Sequence, residues 1–155
     1  MKYNVNISPI TNMIDDKNIC ILLKCITTEI GKKKNALFSK YGITGFQSDI
    51  LAFLYRNIDK DIYQRDIENM FKKSNPVVSG TLDRLEKAGF IYREKSLNDS
   101  RYRSIKPTIK ALEIGENIRR ELDNFYDFKE VLSKEEIKKL EYLLKKMYDY
   151  TLKII

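Results

Sequence analysis

From Ser133 to the end of the chain, Ile137, Leu140, Leu144, Met147, Thr151 and Ile154 recur at alternating spacings of three and four residues. That spacing is the seam of an α-helix packing lengthwise on another helix. Ser133 followed by Glu136 supplies a capping box to open it. Such a helix runs about 30 Å at 1.5 Å per residue. An apolar seam of that length demands a helical partner, so the chain must fold as packed helices or offer this one to a second molecule.

The same period runs upstream. Ile19, Leu22, Leu23, Ile26 and Ile30 predict a first helix over about residues 15–39, ended by Tyr41-Gly42-Ile43. Thr44 and Gln47 form a capping box for a second helix with Phe46, Ile50, Leu51, Leu54 and Ile58 as its buried stripe. After a polar turn at 57–61, Ile67, Met70 and Phe71 mark a short third helix starting near Tyr63-Gln64. Ser74-Asn75-Pro76 is a strong start for a fourth, with Ser74 or Asn75 as N-cap and Pro76 in the first turn. Its inner face is Val78, Leu82 and Leu85, its outer face Asn75, Ser79, Gly80, Asp83, Arg84 and Lys87, and Gly89 ends it. Two extended pieces, 90–95 and 102–106, flank an Asn-Asp-Ser turn and predict a β-hairpin. Thr108 then caps a fifth helix, with Leu112, Ile114, Ile118, Leu122 and Phe125 inward, ending around 127–130.

The fold class expected is therefore mainly α with a small β-hairpin. No linker or repeat divides residues 1–155, which read as a single domain. The chain has no histidine, which removes Ser-His and Cys-His nucleophile pairs and every His-containing metal site. Its two cysteines, Cys20 and Cys25, are too few for a four-cysteine zinc site, and its six glycines form no phosphate-cradling loop. No enzyme, cofactor or metal is expected. The N-terminus lacks an apolar signal core and no run approaches a membrane span, so a cytoplasmic protein is expected.

Charge narrows the partner class. Lys and Arg number 29 against 22 Asp and Glu, a net +7. Residues 62–110 hold eleven basic against six acidic side chains, whereas 111–155 hold nine against ten. The excess thus falls within the unit of three helices followed by a hairpin, the order of a winged helix-turn-helix, and favours a polyanionic partner such as double-stranded DNA. A basic face that docks an acidic protein, with no operator of its own, is the alternative.

Within that unit, Asp83-Arg84-Leu85-Glu86-Lys87-Ala88-Gly89-Phe90-Ile91-Tyr92-Arg93 resembles the signature D-R-L-E-x-x-G-[LF]-[IV]-x-R of the MarR-type transcriptional regulators. Ile43-Thr44 with Gln47, Ile50 and Leu51 is similar to that family's second helix, and Asp99-x-Arg101 with Thr108 to its wing. Pro107 and Ala111 depart from the family's usual Leu and Gly, which leaves the end of the second wing strand open. The resemblance implies a winged helix-turn-helix unit at 43–110 flanked by dimerisation helices at 15–40 and 109–155. It further implies a homodimeric repressor on a pseudo-palindromic operator, released by a small aromatic or anionic effector.

Carried over by position, Ser74, Asn75, Val77, Ser79 and Gly80 match the family's DNA-facing end of the recognition helix, and Gln64 its backbone-anchoring glutamine. Short polar groups near a helix N-terminus suit phosphates and base edges, and Val77 suits a thymine methyl. Gly80 either lets the backbone approach DNA or is a neutral surface position. Arg84 either binds a phosphate or pairs within the fold. Arg101, at the hairpin tip, is implied to enter the minor groove, with Arg103 beside it and Asp99 shaping the loop. Cys20 is a candidate redox sensor, although a disulfide with Cys25 within one helix is excluded because the two are rotated by about 140°.

Overall fold

The computed structural model describes residues 19–95, 102–125 and 127–154. These fall into two units, residues 19–120 and residues 121–154. The first holds α1 (Ile19–Phe38), a 3-10 turn (Ser39–Tyr41), α2 (Gly45–Arg56), α3 (Gln64–Phe71), α4 (Asn75–Lys87), β1 (Ile91–Lys95), β2 (Arg103–Pro107) and most of α5 (Ile109–Phe125). The second holds the end of α5 and α6 (Lys134–Thr151).

Local chemistry sets most boundaries. Gly42 leaves the 3-10 turn at φ 69°, a left-handed conformation that glycine adopts without strain. The Thr44–Gln47 capping box is formed: Gln47 N–H donates to Thr44 Oγ1 at 3.2 Å, and Thr44 N–H to Gln47 Oε1 at 2.8 Å. The turn between α3 and α4 passes through Lys72 at φ 52°, whose amide and that of Lys73 both close onto the Glu68 carbonyl. This backward turn sets α4 across α3. Gly89, at φ 75°, ends the α4 segment as its position predicts.

The core of the first unit lies between these helices and the hairpin. Ile50, Leu54, Ile67, Val78, Leu82, Leu85, Ile91 and Ile105 are essentially inaccessible to solvent. The three inward positions expected of α4, Val78, Leu82 and Leu85, are all among them. The antiparallel hairpin pairs Ile91 with Pro107, Arg93 with Ile105 and Lys95 with Arg103. Pro107 thus closes the second strand instead of cutting it short. It sits at the end of the ladder, where a missing N–H costs little. Ile105 N–H donates to Ile62 O at 2.7 Å, tying the hairpin to the chain entering α3. Thr108 Oγ1 donates to Gly89 O at 2.7 Å and accepts from Ala111 N–H at 3.3 Å, which caps α5 as expected.

Several expectations are corrected. Ile58 lies beyond the end of α2 and is exposed, because the chain turns away at Asn57. Met70 is 60% exposed, the inner face of α3 being Ile67. Helix α5 ends at Phe125 and α6 at Thr151, so Ile154 lies past the seam. The start of the first helix near residue 15 lies outside the described residues. Within α1 only Lys34 and Phe38 are buried, while Ile19, Leu22 and Ile26 are exposed. The Ser133–Glu136 capping box of α6 is formed, yet α6 buries none of its residues.

Candidate nucleic-acid interface

Helix α4 presents its first turn to solvent. Ser74 occupies the N-cap backbone position, at φ −69° and ψ 153°, but its hydroxyl makes no capping bond. The start of α4 therefore rests on Pro76 in the first turn and on backbone geometry, which leaves the Ser74 hydroxyl outside the helix's own bonding. Asn75, Pro76 and Val77 are exposed, and Ser79 and Gly80 half-buried. Ser74, Asn75, Val77, Ser79 and Gly80 thus share one end of one helix.

Two amides at this end converge on one carboxylate. Asn75 Nδ2 donates to Glu68 Oε1 at 2.8 Å, and Gln64 Nε2 donates to the same oxygen at 2.9 Å. This joins three points on two helices: the first residue of α3, its last full turn, and the first residue of α4. Glu68 carries no motif and was not among the sequence candidates. Its signal is the i, i+4 spacing from Gln64, a helical neighbour pair.

Arg84 is exposed and its Nη2 donates to Thr81 Oγ1 at 3.3 Å. Thr81 Oγ1 in turn donates to Val77 O at 2.7 Å. Arg84 is therefore anchored to its own helix at one nitrogen while the side chain as a whole stays exposed. Arg103 is exposed at the start of β2, opposite Lys95. Asp99 and Arg101 lie outside the described residues.

The hairpin is held to α4 by Arg93, the residue that closes the signature run begun at Asp83. Arg93 on β1 donates from Nη2 to Asp83 Oδ1 at 2.8 Å and from Nη1 to Glu86 Oε2, both carboxylates on α4. The Asp-Arg-Leu-Glu segment and its distant Arg are thus two ends of one clamp. On the other flank Lys106 of β2 bridges to Asp61 Oδ1 at 3.0 Å and to Lys60 O at 2.9 Å. Lys110 caps the C-terminal end of α4, donating to Ala88 O at 2.8 Å and lying 4.1 Å from the Phe90 ring centre.

Behind the site, Lys34 of α1 pairs with Asp49 of α2, both largely buried. Burial pushes the Asp49 carboxyl above its usual range, against the hydrogen bond and charge of Lys34 and the charge of Lys73. An open cavity of about 280 Å³ lies beside this pair, lined by Thr27, Ile30, Lys34, Phe46, Asp49 and Lys73 among others. Cys20 is exposed and Cys25 half-buried. Among the described residues no group of three or more His, Cys, Asp or Glu could hold a metal, and no helix is long and apolar enough to cross a membrane.

A model of the MarR family matches residues 41–101. Among curated proteins, the HTH-type transcriptional regulator FarR of Neisseria gonorrhoeae is 35% identical over 109 residues, covering 70% of this chain and 73% of FarR. Among solved structures, the transcription regulator MarR from Oenococcus oeni PSU-1 aligns with a TM-score of 0.75 and 32% identity, over 85% of this chain and 99% of that one. The MepR–DNA complex of S. aureus aligns with a TM-score of 0.79 and 26% identity, over 84% and 96% of the two chains.

Proposed function

The chain is a DNA-binding transcriptional regulator of the MarR family, not an enzyme, and from that premise we propose that it is a cytoplasmic homodimeric repressor of a pseudo-palindromic operator. Each subunit sets the exposed first turns of α4 in a major groove, the two half-sites lying about 34 Å apart. Ser74, Asn75, Val77, Ser79 and Gly80 meet bases and the adjacent phosphates, Gln64 and Arg84 hold the backbone, and the wing brings Arg101 and Arg103 to the flanking minor groove. The observation that carries this reading is the α4 N-terminus itself: an exposed polar end on a helix whose other face is fully buried, clamped through Arg93 to the hairpin.

Dimerisation through α1, α5 and α6 accounts for the apolar residues that a single chain leaves in water, among them Ile19, Leu22 and Ile26 on α1 and Leu140 and Leu144 on α6. Release by a small aromatic or anionic effector is supported by the cavity beside Lys34 and Asp49, which offers the Phe46 ring and the Lys73 ammonium 5.9 Å from it. A ligand there would bias the spacing of the two recognition helices.

The test is fluorescence anisotropy of the purified chain on the DNA upstream of its own gene and on a scrambled duplex, at two salt concentrations. Nanomolar binding by a dimer, with a preference of about 10³ or more over the scramble, is expected. Weak binding to both duplexes that collapses with salt points instead to a non-specific basic face, or to docking on an acidic protein.

A further inference from the structure

We propose that Glu68 is a specificity-determining positioning residue: its carboxylate fixes which end of the Asn75 and Gln64 amides is offered to DNA. The inference rests on the DNA-binding reading of α4. It is carried by the two hydrogen bonds from Asn75 Nδ2 and Gln64 Nε2 to one oxygen, Glu68 Oε1.

An amide has a donor end and an acceptor end of nearly the same shape, so its orientation is set by its neighbours. An ionised carboxylate only accepts. Both NH2 groups must therefore face Glu68, and neither amide can turn over without setting its oxygen against the carboxylate. Glu68 is half-buried in the last turn of α3, facing the first residue of α4.

What remains on Asn75 is one N–H and the Oδ1 acceptor. In the major groove an acceptor requires a base with an exocyclic amino group, adenine through N6 or cytosine through N4. Adenine is the better match, since the remaining N–H of Asn75 suits its N7. Guanine offers two acceptors there and would need two donors. With Nδ2 already engaged, Asn75 cannot supply them. Glu68 thus turns an ambiguous asparagine into an acceptor-led reader at one position of each half-site, without touching DNA itself.

The experiment is in vitro selection from random duplexes with the full chain, run for wild type, Glu68→Gln, Glu68→Ala and Asn75→Ala, with thermal unfolding of each. Wild type is expected to select adenine or cytosine at one position per half-site. Asn75→Ala should erase that preference and leave the other positions unchanged. Glu68→Gln keeps shape and volume but presents either a donor or an acceptor, so the same preference should fall by about fivefold or more, the loss of one oriented contact. A purely structural brace would instead lower the melting temperature and weaken all sequences alike. Full preference retained in a folded Glu68→Gln or Glu68→Ala variant, or guanine selected at the Asn75 position, overturns the proposal. Selection of no sequence by wild type overturns the DNA reading and this proposal with it, an outcome distinct from a wild type that selects while the Glu68 variants match it.

Discussion

A methyl group added at Gly80 would meet only Arg84 Nη1, 3.8 Å away, which is ordinary contact. Nothing inside the fold requires glycine at that point of α4. Gly80→Ala is therefore expected to raise stability by about 1 kcal/mol through helix propensity, read by urea unfolding. A loss of operator affinity in the same variant would then report the backbone's approach to DNA. Ser104 presents the opposite case. It is 1% exposed and its hydroxyl has no partner among the described residues. Ser104→Ala removes an unsatisfied polar group at the price of a very small void, so stability should stay level or rise by up to about 1 kcal/mol in the same assay. Neither feature of these residues is written in the sequence: Gly80 and Ser104 acquire their meaning from which neighbours come near them.

At the scale of elements, two charged contacts hold the reading unit in shape. Arg93 fastens β1 to α4 through Asp83 and Glu86, with Asp83 half exposed and so partly screened. Arg93→Ala should cost about 1–2 kcal/mol of stability. Loosening the hairpin should also weaken binding to every duplex, which anisotropy on operator and scrambled DNA would register as parallel losses. Lys34 joins α1 to α2 through Asp49. Lys34→Met strands a buried carboxylate and should destabilise by about 3 kcal/mol at pH 7. The sign of its pH dependence follows from the Asp49 shift. Burial already raises that carboxyl, and losing the lysine raises it further, so the folded variant binds a proton more readily than the unfolded chain does. The penalty is thus greatest at neutral pH and shrinks as the solution becomes mildly acidic, which urea titrations at both conditions would show; a penalty that grew on acidification would refute this account of Asp49.

For the whole molecule, the governing fact is unburied apolar surface. Leu140 is 44% and Leu144 38% exposed on α6, and α1 leaves Ile19, Leu22 and Ile26 in water. The heptad spacing of α6 asked for a helical partner, and α6 buries none of its residues within the chain. A second copy supplies that partner in the reading proposed. Leu140→Lys with Leu144→Lys should therefore shift a dimer towards monomer, seen as a concentration-dependent change in sedimentation. DNA affinity should fall with it, since two linked recognition helices bind far more tightly than one. Unchanged sedimentation would remove α6 from the interface.

Helix periods, the capping boxes at Thr44 and Ser133, the glycine stops at Gly42 and Gly89, the buried face of α4 and the hairpin were legible in the sequence because each depends on residues a few positions apart. Family membership was legible for the same reason, through the run from Asp83 to Arg93. What only the tertiary structure decided is which polar groups meet. Arg93 reaches Asp83 across ten positions, Lys34 reaches Asp49 across fifteen, and Lys106 reaches Lys60 across forty-six. Asn75 was legible as an exposed helix start, but not as the partner of Glu68. Spacing along a chain reports period and turn, whereas ion pairs and shared hydrogen bonds depend on how elements cross, and that is set by packing of the core. An apolar stripe likewise states that it must be covered, while the folded chain decides whether its own elements do the covering.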